Sequence, residues 1–112
     1  MITHEYKKEN VLVLEIAGEL MGGEGMKDIQ QRIQSALKGN DIHLVIDMAH
    51  VKWMNSSGLG ILIALLTQLR SADGDLKLAC LTERVRRPIE LSRLDQVFEM
   101  FASVDEAVAS YD

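Results

Sequence analysis

The sequence predicts one α/β domain over residues 1–112, built on a mixed, largely parallel sheet of about five strands with an N-terminal hairpin and about four helices packed against it. Three observations predict it. After the opening hairpin, β-rich apolar segments alternate with segments of helical periodicity, the order that parallel strands joined by helical crossovers require. Hydrophobic residues make up 47% and charged residues 26%, the balance of an ordinary globular domain rather than a disordered chain. At 112 residues such a chain buries roughly two-thirds of its extended surface, so it needs no disulfide, and its single cysteine offers none.

Ile2 to Lys7 reads as a weak first strand and Asn10 to Gly18 as a stronger, more apolar one, with Lys8-Glu9-Asn10 turning between them. Gly18 to Gly25 holds four glycines in eight residues, a loop that bends sharply or lets another surface come close. From Met26 to Leu37 apolar residues recur at 26, 29, 33 and 37, the stripe of an amphipathic helix ended by Lys38 and Gly39. Ile42 to Met48 is a central-strand candidate, apolar on both sides except at His43 and Asp47. Val51 to Gly60 is a strand-to-helix junction, and Ser57 to Ser71 a helix, apolar nearly all round until Thr67 and hence mostly buried. Asp73-Gly74 turns the chain into a buried strand, Leu76 to Leu81. Arg84 to Leu94 reads as helical, with Pro88 tolerated only near its first turn. Val97 to Phe101 is a short last strand, and Val104, Ala107, Val108 and Tyr111 form the stripe of a final helix capped by Ser103.

Composition excludes several classes. The longest apolar run, Ile61 to Leu66, falls far short of the roughly 20 residues of a membrane span. Glu5, Lys7, Lys8 and Glu9 leave no apolar core for a signal peptide. A lone Cys80 suits a reducing compartment, so the expected location is cytoplasmic. A net charge of −5 argues against nucleic acid as the partner.

The residues capable of chemistry are sparse. His4, His43 and His50 are scattered, and no His-x-x-x-His or Cys-x-x-Cys spacing occurs, so no metal or other cofactor is expected. His43 reads as structural and Cys80 as a small core residue. Gly22-Gly23-Glu24-Gly25 lacks the spacing of a phosphate loop, and Glu19 and Glu24 would repel phosphate. Ser56 lies at a strand-to-helix turn, but Met54 stands where a nucleophile elbow requires glycine. An enzyme is therefore not expected. Arg84, Arg86, Arg87 and Arg93 are interleaved with Glu83, Glu90 and Asp95, which reads as a solvated helix face, against a docking patch for an acidic partner. For Met21, Trp53 and Met54 two readings stand side by side: Trp53 in the core, or Met21 and Met54 forming an adaptable contact surface.

Asn55-Ser56-Ser57-Gly58 concentrates the remaining signal. A serine ahead of an apolar helix is by default its N-cap, worth about 1 kcal/mol, which accounts for one serine and not for two. The first turn of such a helix also carries unpaired amides and the positive end of the macrodipole, which favours an added anion by about 0.3–1 kcal/mol. A phosphate there would bring about −1.5 to −2 charge to a loop-rich corner, acting on a partner and not on the fold.

Gly18-Glu19-Leu20 closing the second strand, followed by Asn55-Ser56-Ser57-Gly58-Leu59-Gly60-Ile61-Leu62 opening the buried helix, resembles the STAS domain of anti-sigma factor antagonists. The resemblance spans essentially the whole chain in element order. It implies a cytoplasmic switch protein that binds an anti-sigma factor, often itself a serine kinase, and so frees a sigma factor. It implies phosphorylation of Ser56 by that kinase, release of the partner, and resetting by a serine phosphatase. The contact surface it implies comprises Met21, Gly22 and Gly23 with Met54, Asn55, Ser56, Ser57, Gly58 and Leu59. Two positions depart from the family pattern, Asn55 and Met21, each standing where the family usually has aspartate. The same resemblance admits a binding module without a phospho-switch, in a stress-sensing scaffold or as a subunit of a membrane transport system.

Overall fold

Residues Glu9 and Asn10, both at positive φ (52° and 68°), make the two-residue turn that starts the sheet. They join β1 (Ile2–Lys8) to the antiparallel β2 (Val11–Leu20). The computed structural model describes all residues 1–112. From β2 onward every strand is parallel to its neighbour: β3 (His43–Met54), β4 (Asp75–Ala79) and β5 (Met100–Phe101) complete a five-stranded sheet in the order β1-β2-β3-β4-β5. The helices are α1 (Lys27–Lys38), α2 (Ser56–Ser71), α3 (Glu83–Leu91) and α4 (Val104–Ala109), with single 3-10 turns at Gly23–Met26 and Leu94–Gln96. The predicted mixed sheet, hairpin and four helices are all present.

Strand alternation divides the core in two. Leu12, Leu14 and Ile16 of β2, Leu44, Ile46 and Met48 of β3, and Leu76 and Leu78 of β4 face Ile29 and Ile33 of α1, Leu62, Leu66 and Leu69 of α2, and Val85 and Ile89 of α3. The opposite face is thinner, with Val11, Val13, Val45 and Ala79 covered by Ala107 and Val108 of α4. The middle strands are thus buried on both faces, as their unbroken apolar runs require. Tyr111 locks α4 down: its hydroxyl accepts from the Leu44 amide at 3.1 Å and lies 2.5 and 3.0 Å from the Leu44 and Asp75 carbonyls. Lys77, buried beneath it, is paired with Ser110 at 2.7 Å and Glu99 at 3.1 Å and lies 4.0 Å from the Tyr111 ring centroid. The Ser103 cap forms as expected, accepting from the Glu106 amide at 3.1 Å.

Several boundaries move. β3 runs six residues past Met48 to Met54, through a stretch expected to be a junction. α3 begins one residue earlier and ends at Leu91, where Arg93 takes φ 60°, so Pro88 falls in its second turn and the Arg84 carbonyl loses its helical donor. The last strand shrinks to two residues, because Leu94–Gln96 form a 3-10 turn and Phe98 is buried in the main core. Cys80 lies beyond the end of β4, half-buried at φ 62°, and is not a core strand residue. Burial, followed by the nearby Asp47 charge, pushes its thiol pKa up.

Candidate functional site

Leu20, the last residue of β2, lies beside Met54, the last residue of β3, so the two strands end together and the chain leaves both at one corner of the sheet. Asn55 follows in extended geometry, its amide donating to the Leu20 carbonyl at 3.1 Å. Its side-chain Oδ1 accepts from the Gly58 amide at 2.9 Å, and its carbonyl accepts from the Leu59 amide at 3.0 Å. The N-cap of α2 is therefore Asn55 and not a serine. With that role filled, Ser56 and Ser57 become the first two helical residues, and both are exposed. Their amides have no intrahelical acceptor, and no acidic residue lies in the first turn of α2.

Two glycines bring the corner together. A Cβ on Gly58 would stand 2.1 Å from the Leu20 carbonyl oxygen, so the first turn of α2 packs directly on the β2 backbone. Gly22, at φ +85°, lies so close to Ser57 that a Cβ would meet the serine Cβ at 2.9 Å. The glycine loop thus both bends and allows close approach, before buried Met26 ties it to the core.

The structure brings Met21, Gly22, Gly23, Asn55, Ser56 and Ser57 to one exposed or half-exposed corner. It takes three of the expected contact residues out of that surface. Met54 is 4% exposed and Leu59 8%, both in the main core, and Gly58 is buried against Leu20. Trp53 is 37% exposed and Met21 42%, so the tryptophan is not a core residue and Met21 has no exposed methionine partner in Met54. The reason lies in β3. Between Glu15 and Ala17, β2 advances two residues while β3 advances three, and a second extra residue follows between Val51 and Trp53. These two bulges replace alternation by a spacing of three, burying Met48, Val51 and Met54 and exposing the pairs between them.

Sequence reasoning also missed the outer face of α2. Gly60 and Ala64 are exposed and Ile61 half-exposed, beside a groove of about 410 Å³ that runs from Gly22 and Ser57 between α1 and α2 to Gln34 and Gln68. The apolar run hid this face, because periodicity cannot show which side of an all-apolar helix lacks a neighbour. The histidines stay apart: His4 stacks near Tyr6 at 5.3 Å, His43 near Tyr111 at 5.0 Å, and His50 sits at the first bulge. Within the arginine cluster Arg86 is balanced on a solvated face, bridging Glu83 at 3.0 Å and Glu90 at 3.2 Å, whereas Arg84 has no acidic partner and lines a separate trough with His50 and Lys52. No helix is long and apolar enough to cross a membrane.

The arrangement presents a pair of exposed hydroxyls at a helix start with an uncharged groove beside it. The chain is 26% identical over 102 residues to the anti-sigma-B factor antagonist of Bacillus subtilis strain 168, covering 91% of this chain and 92% of that protein. Among solved structures it resembles an anti-sigma factor antagonist from Mycobacterium paratuberculosis (27% identity, TM-score 0.80, 96% and 90% of the two chains). It shares the fold of unphosphorylated SpoIIAA (21%, TM-score 0.80, 96% and 94%) and of phosphorylated SpoIIAA from Bacillus (20%, TM-score 0.75, 97% and 98%). The STAS domain model matches residues 5–107, and with that match the chain belongs to the STAS domain family.

Proposed function

We propose that this protein is an anti-sigma factor antagonist, a regulatory binding protein rather than an enzyme, which engages an anti-sigma factor through the Ser56 corner and so frees a sigma factor. The partner is a serine kinase that phosphorylates Ser56, and a serine phosphatase reverses the mark. The observation that carries this reading is the division of labour at the start of α2: Asn55 holds the cap, leaving Ser56 exposed with its hydroxyl uncommitted. Relatives bearing the antagonist name, and a shared fold with SpoIIAA in both phosphorylation states, support it. The proposed location is cytoplasmic, where such a partner would be met.

A phosphate on Ser56 sits at a helix start with no acid in the first turn, so the protein tolerates it. The partner does not. Moving a complex from 99% to 1% bound takes about 5.5 kcal/mol of differential affinity, and like charges pressed together at an interface cost several kcal/mol. An interface of about 800 Å² per partner that includes Met21, Gly22 and the outer face of α2 would enclose the phosphate. A second reading, a STAS binding module without the switch, rests on Asn55 and Met21, which leave the corner without the carboxylates that the family resemblance places there.

Phosphopeptide mapping of the protein from its own cells, with identification of copurifying proteins, separates the two. Phosphate on Ser56, with a kinase partner bound only to the unmodified form and unaffected by conditions in Ser56→Ala, is the expected result. An unmodified Ser56 in growth and stress, with a constant scaffold or transporter partner, overturns the switch.

A further inference from the structure

The two bulges of β3 do more than lengthen the strand. Strict alternation from Met48 would send Ala49 outward and His50 inward; instead the first bulge exposes both, and the second exposes Lys52 together with Trp53. Bulges of this kind re-aim side chains. Here they deliver His50 and Lys52 to an open trough of about 850 Å³ along the C-terminal parts of β2 and β3, where Thr82 and Arg84 approach from the start of α3. Ala17 and Gly18 of β2 form a floor without bulk.

The charges of this trough are uncompensated. No acidic residue lines it, and His50, Lys52 and Arg84 take part in none of the ion pairs or side-chain hydrogen bonds of the protein. Arg84 has no acid one turn ahead, since Arg87 and Pro88 occupy those places. The nearest acid in sequence, Glu83, is held by Arg86 at 3.0 Å. Thr82 makes no capping bond with its side chain, so its hydroxyl is free to donate. In a chain of net charge −5, two free cationic side chains, Lys52 and Arg84, around one concavity focus positive potential there.

We propose that this trough binds a small ligand through a multiply charged oxyanion group, a phosphoryl group or clustered carboxylates. Lys52 and Arg84 are its charge partners, the Thr82 hydroxyl and the His50 imidazole supply neutral hydrogen-bond donors, and Ala17 and Gly18 leave room for the uncharged body of the ligand. The trough shares no lining residue with the groove beside Ser57, and the inference does not depend on the function proposed for the Ser56 corner.

The test is an amide NMR titration with inorganic phosphate, pyrophosphate and citrate at constant pH and ionic strength, on the natural protein and on Lys52→Ala/Arg84→Ala. Both positions are exposed, and an unchanged melting temperature verifies that the double variant is folded. Saturable shifts confined to residues 17–18, 49–52 and 82–85, with a Kd at least about tenfold weaker in the double variant and weaker in salt, are expected. Preference for pyrophosphate over citrate identifies a phosphoryl ligand, and the reverse a polycarboxylate. Shifts scattered over the surface, or equal in the double variant, overturn the proposal. Cosedimentation with phosphatidylglycerol vesicles and no response to the three soluble anions also overturns it, assigning the cations to a membrane surface.

Discussion

Asn55 decides the chemistry of its neighbours. By capping α2 it satisfies the Gly58 amide and leaves both serines uncommitted. Asn55→Ala removes that acceptor and is expected to cost about 0.5–2 kcal/mol, read as a lower melting temperature, whereas Asn55→Asp keeps the cap and the stability. Glycines two apart in sequence behave oppositely. Gly58→Ala drives a Cβ into the Leu20 carbonyl and is expected to cost about 3 kcal/mol or more by denaturant unfolding. Gly60→Ala meets nothing within 4 Å and exchanges a poor helix former for a good one, a gain of about 0.5–1 kcal/mol. If α2 presents this face to the partner, Gly60→Ala also weakens the complex while stabilising the free protein, a combination that calorimetric titration detects. The serines, the cap position and the glycines were legible in the sequence as a motif. Which residue caps was not, because Asn, Ser and Asp are near-equivalent caps and only the extended backbone of Asn55 selects among them.

Among the elements, β3 shows where pattern reading fails. Its first half is buried on both faces and reads as a central strand; its second half carries two bulges that set the spacing of buried residues to three, so it reads as a junction. The apolar spacing of Met48, Val51 and Met54 was the available signal. Met54 and Trp53 exchanged places for this reason, the methionine going inside and the tryptophan out. At the other end of the sheet, α4 is only six residues long and depends on Tyr111. Tyr111→Phe leaves the Leu44 amide without its partner and is expected to cost about 1–3 kcal/mol. Hydrogen exchange at Leu44 and along α4 should accelerate more than exchange in α2, which packs on the opposite face.

For the whole molecule, pH dependence follows from groups on its outer strands and final helix. The hydrogen bonds from Arg32, at 2.9–3.1 Å, hold the Glu5 carboxyl below its ordinary range. A depressed carboxyl contributes stability above its unfolded pKa and loses it as pH falls through the folded one, so an acid limb is expected that Glu5→Gln flattens. Tyr111 works in the other direction: burial raises its pKa, so the neutral phenol is favoured in the folded state. Its contribution is complete below the ordinary tyrosine range and is lost as pH rises beyond it. Alkaline unfolding monitored by circular dichroism should therefore begin above that range, and in Tyr111→Phe the slope of stability against pH there should lessen.

The sequence by itself determined the strand and helix order, the mixed sheet, the glycine loop and the Ser56 motif, since these depend on periodicity, turn chemistry and neighbouring residues. Tertiary structure alone decided which residues face out. The ends of β2 and β3 had to meet before Gly58 could pack on Leu20, and two extra residues in β3, visible only against β2, had to turn His50, Lys52 and Trp53 toward solvent. The physical reason is that burial is a relation between elements, and register between strands is written in neither strand alone.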